Sequence, residues 1–155
     1  MLVVGKVGYG LGENTNGLRE TRLTPDEQYT HITLWTLVAS NMLIGCDVAQ
    51  MDDFTLSLLS NNEVIAIDQD ILGKQADRVF KDDNIEIWAR PLADGGQAVG
   101  IFNVSDQDVI YDLNTYKPAT EARIVRDLWR QKNLSPDEHV MIIFPHGCRY
   151  LKIVK

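Results

Sequence analysis

Apolar positions change their period twice along this chain. Met1 to Val4 form a short run apolar on both faces and closed by Gly5, the pattern of a strand buried on both sides, as in a parallel sheet. Residues 5–23 are rich in glycine, asparagine and charge and read as one long loop, a length that in compact domains tends to carry function. A helix opens at Thr24. Thr24-Pro25-Asp26-Glu27 is a capping box with proline in the first turn, and Ile32, Leu34, Trp35, Leu37 and Val38 recur at helical spacing. Asn41 breaks that pattern, and Met42 to Asp47 form a second apolar run that ends in an acid. Strand, helix and strand in this order make a βαβ unit with parallel strands.

Two shorter helices follow. Asp52 to Leu59 starts on an acid and turns Phe54, Leu58 and Leu59 inward. Ser60-Asn61-Asn62-Glu63 reads as a second capping box before Val64 to Ile67, with Gly73 as the terminator. From Ala76 the period becomes two. Ile85, Ile87 and Ala89 alternate with polar or aromatic neighbours, and Asp94-Gly95 signals a hairpin. Val99, Ile101 and Asn103 alternate in the same way, as do Val109, Tyr111 and Leu113, then Ile124, Arg126 and Leu128. Val140 to Phe144 and Tyr150 to Val154 complete the set. Short strands at this spacing predict an antiparallel sandwich.

At 155 residues and 45% apolar, the chain has material for one domain or two small packed units, and its composition is that of a chain with a real core, against disorder. The formal net charge of −7 argues against nucleic acid or an anionic membrane as partner. No apolar run is long enough to cross a bilayer. MLVVGKVGYG lacks the basic and long apolar regions of a signal peptide, so a cytoplasmic location is expected if Met1 is the natural start. Cys46 and Cys148 lie in apolar surroundings without a CxxC neighbour and read as buried free thiols. No phosphate loop, HExxH, GxSxG or His/Cys cluster is present, and no cofactor or metal is expected. His31 reads as a packed residue and His146 as part of a tight turn. Asp52, Asp53, Asp68 and Asp70 fit solvated helix ends better than a calcium loop. Asp47 has two readings of equal weight: a cap of the next turn, or a functional acid at the end of a barrel strand, where β/α barrels place their sites. Asn103-Val104-Ser105 matches a glycosylation sequon.

MLVVG, LTPDEQYTHITLW, MLIGCD, NNEVIAIDQDILGKQ, IEIWARPL, AVGIFN, VRDLW and PHG occur in this order over nearly the whole chain. Together they resemble the α-galactosidases of glycoside hydrolase family 27, with Lys6 a departure from the commoner Asn. The resemblance implies a (β/α)8 barrel followed by a C-terminal antiparallel β domain. It also implies a retaining mechanism with two aspartates, both on strands before the point matching Met1. Of the family's Asp-Pro-Asp-Met only the methionine is present, so Met1 matches the rim of the galactose pocket, and Gly45-Cys46-Asp47 matches the end of the eighth strand.

The expectation is therefore an α/β fragment of a (β/α)8 barrel at residues 1–76, followed by an antiparallel all-β sandwich at 77–155. No catalytic residue is expected in the chain, and Met1 and Asp47 are the candidate substrate-binding residues. The expected partner is an α-galactoside or related sugar in a longer parent. The chain alone is expected to be inactive, and to self-associate through open barrel edges. A second reading is a stand-alone carbohydrate-binding or structural sandwich. In that reading Trp88 or Trp129 would stack on sugar, although both fit a core role in strands.

Overall fold

The computed structural model describes residues 1–8 and 17–154. The middle of the predicted glycine-rich loop, 9–16, lies outside them. The flanks of that loop are not irregular: β1 (Lys6–Val7) pairs antiparallel with β2 (Arg19–Glu20). The capping box forms as expected at α1 (Pro25–Leu37), where Thr24 accepts from the Glu27 amide and Glu27 accepts from the Thr24 amide at 2.7 Å. The helix stops at Leu37, and Ala39 adopts a left-handed conformation directly after it.

The apolar runs flanking α1 lie side by side and parallel, but only at one bridge, Leu2 to Ile44. There the Leu2 amide donates to the Leu43 carbonyl at 2.7 Å, and the Gly45 amide donates to the Leu2 carbonyl at 3.0 Å. The full strands expected at 1–4 and 42–47 are thus replaced by a single bridge. Gly5, at φ +63, turns the first run away; its missing Cβ leaves room for Thr55, whose Oγ1 lies only 2.5 Å from where a Cβ would stand. The second run passes straight into a 3-10 turn at Val48–Gln50.

α2 (Asp53–Leu59) is capped by Asp52, and Thr55 and Leu58 are its buried residues. α3 (Asn62–Asp68) is capped one residue later than the sequence pattern indicates. Asn61 accepts from the amides of Glu63 and Val64, while the Glu63 carboxylate pairs with Arg126 instead of closing a capping box. Gly73 does not end α3, which stops at Asp68; its positive φ serves the following turn.

Strands begin at Asp77. β3 (Asp77–Lys81), β4 (Ile85–Pro91), β5 (Gln97–Asn103), β6 (Val109–Asp112), a short α4 (Lys117–Thr120), β7 (Ile124–Asp127), β8 (Lys132–Asn133), β9 (Val140–Ile143) and β10 (Cys148–Val154) follow in order. Six strands form one antiparallel sheet in the order β3-β4-β5-β10-β7-β8, and β6 pairs with β9 as a separate ribbon. The hairpin expected at Asp94-Gly95 joins β4 to β5, with Gly95 at φ +83.

The six-stranded sheet is covered on both faces. On one, Ile85, Ile87, Val99, Ile101, Leu151 and Ile153 pack with Leu113, Met141 and Ile143 of the ribbon layer. On the other, Ala98, Phe102 and Tyr150 join Leu2, Val4, Ile32, Leu37 and Leu58 in a single cluster. The helix comes so near the sheet that a Cβ on Gly100 would lie 2.6 Å from Leu37 Cδ1. The expected alternation in β7 is shifted by one residue. Val125 and Asp127 are buried and Ile124 is exposed, because the strand must supply Val125 to the inner layer. Trp129 also departs from expectation, lying in the turn after β7 and not in a strand.

Candidate functional site

Asp47 stands where the second apolar run ends. Its amide donates to the Lys6 carbonyl at 2.8 Å, Oδ1 accepts from the Ala49 amide at 2.9 Å, and Oδ2 accepts from Gln50 Nε2 at 3.1 Å. Gln50 also accepts from Lys6 Nζ at 3.3 Å. Asp52 nearby caps α2 through the Thr55 amide at 2.7 Å, and Thr55 holds its carboxyl below the usual range. Lys6, Glu20, Gln50 and Asp52 line one groove at this end; Met1, Val3, Arg19, Arg22 and Gly45 line another, of about 400 Å³. Met1 lines the second groove, and Asp47 lines neither. Asp47 is bonded as a cap in this structure, and Met1 is 64% exposed.

The remaining acids and bases are held by neighbours. His31 Nε2 accepts from the Val3 amide at 3.3 Å and its ring lies 5.2 Å from Trp35; burial lowers its pKa. His146 pairs with Asp106 at 2.9 Å in the expected turn, at φ +56. Burial pushes the Cys148 thiol up to about 11 and raises Cys46 as well; both thiols are free. Among the described residues no group of three His, Cys, Asp or Glu could hold a metal. Asn103 is 2% exposed, and its amide nitrogen donates to the carbonyls of Gln107, Ile143 and Phe144, which closes the sequon to modification in the folded chain.

Trp88 offers no bare platform on the sheet. Trp88 donates to Glu86 at 3.1 Å and carries the Arg78 guanidinium 5.9 Å from its ring centroid. Trp129 donates to Thr33 Oγ1 at 2.9 Å and meets Tyr29 edge-on at 4.9 Å.

A polar seam escapes the pattern analysis. Thr33 and Thr36, one helical turn apart, are fully buried on α1. Thr33 bonds Trp129 and Cys148, and Thr36 bonds the Tyr150 hydroxyl at 2.9 Å. Arg90 is wholly buried and donates to the carbonyls of Thr36 at 2.5 Å and Asp68 at 3.4 Å. The signal for both was an apolar run interrupted by polar residues at the element's own period.

Residues 82–153 match the family described as the alpha galactosidase C-terminal beta sandwich domain. Over 136 residues the chain is 36% identical to a probable alpha-galactosidase of Dictyostelium discoideum, covering 82% of this chain and 35% of that protein. It is 35% identical over 134 residues to the alpha-galactosidase of Cyamopsis tetragonoloba, covering 82% and 32%. This chain corresponds to the C-terminal part of an α-galactosidase-like glycosidase of family 27. It spans about a third of the length of the relatives it matches. Among solved structures, this α-galactosidase-like chain superposes on a GH27 β-L-arabinopyranosidase from Geobacillus stearothermophilus with a TM-score of 0.84 at 30% identity. That superposition covers 100% of this chain and 36% of the other. A putative alpha-N-acetylgalactosaminidase from Bacillus halodurans gives 0.83 at 28% identity, covering 99% and 38%. The family match falls wholly inside the antiparallel β region, as the sequence resemblance implied.

Proposed function

We propose that residues 1–76 supply the last strand–helix units of a (β/α)8 barrel and residues 77–155 the sandwich packed on it. Within a longer polypeptide they would form a retaining glycosidase acting on α-linked galactosides. The observation that carries this reading is the parallel Leu2–Ile44 bridge with α1 as its crossover, in a chain whose full length superposes on a family 27 enzyme. In this reading Met1 and Asp47 sit at the rim of the sugar pocket, on the face where β/α barrels carry their sites. The substrate class follows from the relatives' names. β-L-arabinopyranose differs from α-D-galactopyranose only in lacking the C6 hydroxymethyl group, so one pocket geometry suits both.

Retaining hydrolysis requires two carboxyls about 5 Å apart, one as nucleophile and one as acid/base. The acids at this end of the chain do other work: Asp47 and Asp52 cap a turn and a helix. The chain alone is therefore expected to be inactive. The test is hydrolysis of a nitrophenyl α-galactoside by this chain beside a version extended upstream through a whole barrel. Turnover by the extended form alone supports the reading. Turnover by the short chain overturns the assignment of the carboxylates. Silence in both removes the glycosidase reading.

Self-association is part of the same proposal. Met1, Val3, Leu43 and Ile44 are 39–64% exposed around the Leu2–Ile44 bridge, an apolar patch that invites association. Light scattering at rising concentration is expected to show a dimer or larger species, and a clean monomer would refute it.

A further inference from the structure

A groove at the junction of α1 and the sandwich has the makings of a second carbohydrate contact. It has a volume of about 180 Å³, room for one pyranose unit, and shares no lining residue with the grooves at the strand ends. Tyr29 and Trp129 provide its aromatic wall, edge to face at 4.9 Å and 71°. The indole N–H is tied to Thr33, so the Trp129 ring is fixed in place. Both rings are only partly buried.

The polar lining divides into spent and unspent groups. Asp127 is spent: its carboxylate accepts from the Arg130 amide at 2.9 Å and from Arg130 Nε at 2.8 Å. Arg149 uses Nη2 on the Ile142 carbonyl at 2.7 Å, while its Nε is buried without a partner. The Tyr29 hydroxyl and the Asp26 carboxylate hold no bond to each other or to another described side chain.

The net charge of the lining selects the ligand. Asp26 and Asp127 balance Arg130 and Arg149, which disfavours an anion or a cation and suits a neutral polyol. Aromatic faces beside a few convergent polar groups make the usual composition of small-molecule sites, and the apolar faces of a pyranose ring pack against such rings.

We propose that Asp26, Tyr29, Trp129 and Arg149 form an auxiliary binding site for a neutral hexose, separate from the site at the strand ends. The proposal borrows only the sugar class from the glycosidase reading. Its chemistry is non-covalent: the Asp26 carboxylate accepts from one hydroxyl, Arg149 donates to another, and the Tyr29–Trp129 pair packs on the ring.

The experiment is ligand-observed saturation-transfer NMR on the whole chain. Galactose and melibiose are the probes, and titrations give affinities for the wild type, Asp26→Asn, Arg149→Gln and Asp47→Asn. Circular dichroism melts verify that each variant is folded. Wild-type binding weakened about tenfold by Asp26→Asn or Arg149→Gln is the expected result. Binding lost in Asp47→Asn but kept in the other two places the sugar at the strand ends and overturns this proposal, while supporting the glycosidase reading. No binding by the folded wild type at saturating sugar also overturns it. That second failure leaves the glycosidase reading intact, because turnover by the extended chain is measured separately.

Discussion

Arg90 joins the helical region to the sheet, and its removal is the sharpest test of how they are held together. The side chain rises from β4 into a fully buried position and meets the last turns of two helices. Its Nη1 donates to the Thr36 carbonyl of α1 at 2.5 Å and its Nη2 to the Asp68 carbonyl of α3 at 3.4 Å. Helix C-termini leave carbonyls unpaired and carry partial negative charge, so a guanidinium there answers both needs. Arg90→Met keeps the volume and removes the donors. The short bond is worth about 1.5–3 kcal/mol as a charge-assisted contact and the long one much less. Against this stands the desolvation of the guanidinium, which Met relieves. Nε and Asp68 Oδ1 are both buried without partners, so relief is incomplete in the wild type too. The expected net loss is about 2 kcal/mol, which lowers the urea midpoint by about 1 M at an m-value of about 2 kcal/mol/M. Arg90→Lys cannot fork between two helices and falls between the two. The assay is urea unfolding followed by tryptophan fluorescence, since Trp35, Trp88 and Trp129 all pack at this junction. A midpoint equal to or above that of the wild type, at unchanged m, would refute the reasoning.

Two further tests address titratable groups. Burial holds the His31 pKa below its ordinary 6.5, and its neutral Nε2 accepts from Val3; the unfolded chain therefore takes up the proton first. Stability from this residue is complete above pH 6.5 and is lost as pH falls through that value toward the folded pKa. The urea midpoint is expected to drop between pH 7 and pH 5.5 by more in the wild type than in His31→Gln, and an equal drop removes the assignment. Cys148, with its pKa pushed up to about 11, is expected to resist a disulfide reagent at pH 7.5 in the folded chain and to react at once in urea. Fast labelling of the folded form in a Cys46→Ser background would count against the raised thiol pKa.

The elements that were legible in the sequence share one property: their signal is local. The Thr24 capping box, the Asp52 cap and the Asp94-Gly95 hairpin need only three or four neighbouring residues, and all three form. The misplaced details depend on distant partners. Ser60 lost the α3 cap to Asn61 because Asn61 also donates to the Leu128 carbonyl, while Glu63 was drawn to Arg126 across 63 positions. The β7 alternation slipped because Arg126, not Val125, had the partner at the surface. The strands at 1–4 and 42–47 were read from apolar composition, which reports burial and not ladder length. For the candidate site, the resemblance located the face but not the bonding. That Asp47 acts as a cap, and that Met1 lines a groove which Asp47 does not, depends on chain geometry no short motif records.

The division near residue 76 marks a change of secondary structure, yet the packing argues that the two sides fold together. Ile32 and Leu37 from the helical side and Ala98, Phe102, Leu128 and Tyr150 from the sandwich side belong to one buried cluster. Each large apolar side chain buried there contributes about 1.5–3 kcal/mol. A handful of them already equals the whole stability of an ordinary domain, about 5–15 kcal/mol. Neither side can lose the other's share and remain folded on the same terms. The intact chain is expected to unfold in one transition, with the helical ellipticity and the tryptophan fluorescence giving coincident curves. A chain of residues 77–155 alone would expose Phe102 and Tyr150 on an open sheet face. It is expected to aggregate or to melt without a sharp transition. A monomeric 77–155 piece that unfolds sharply near the midpoint of the whole chain would show that the ribbon-side core, with Ile87, Val99, Ile101 and Leu151, holds the sandwich without α1.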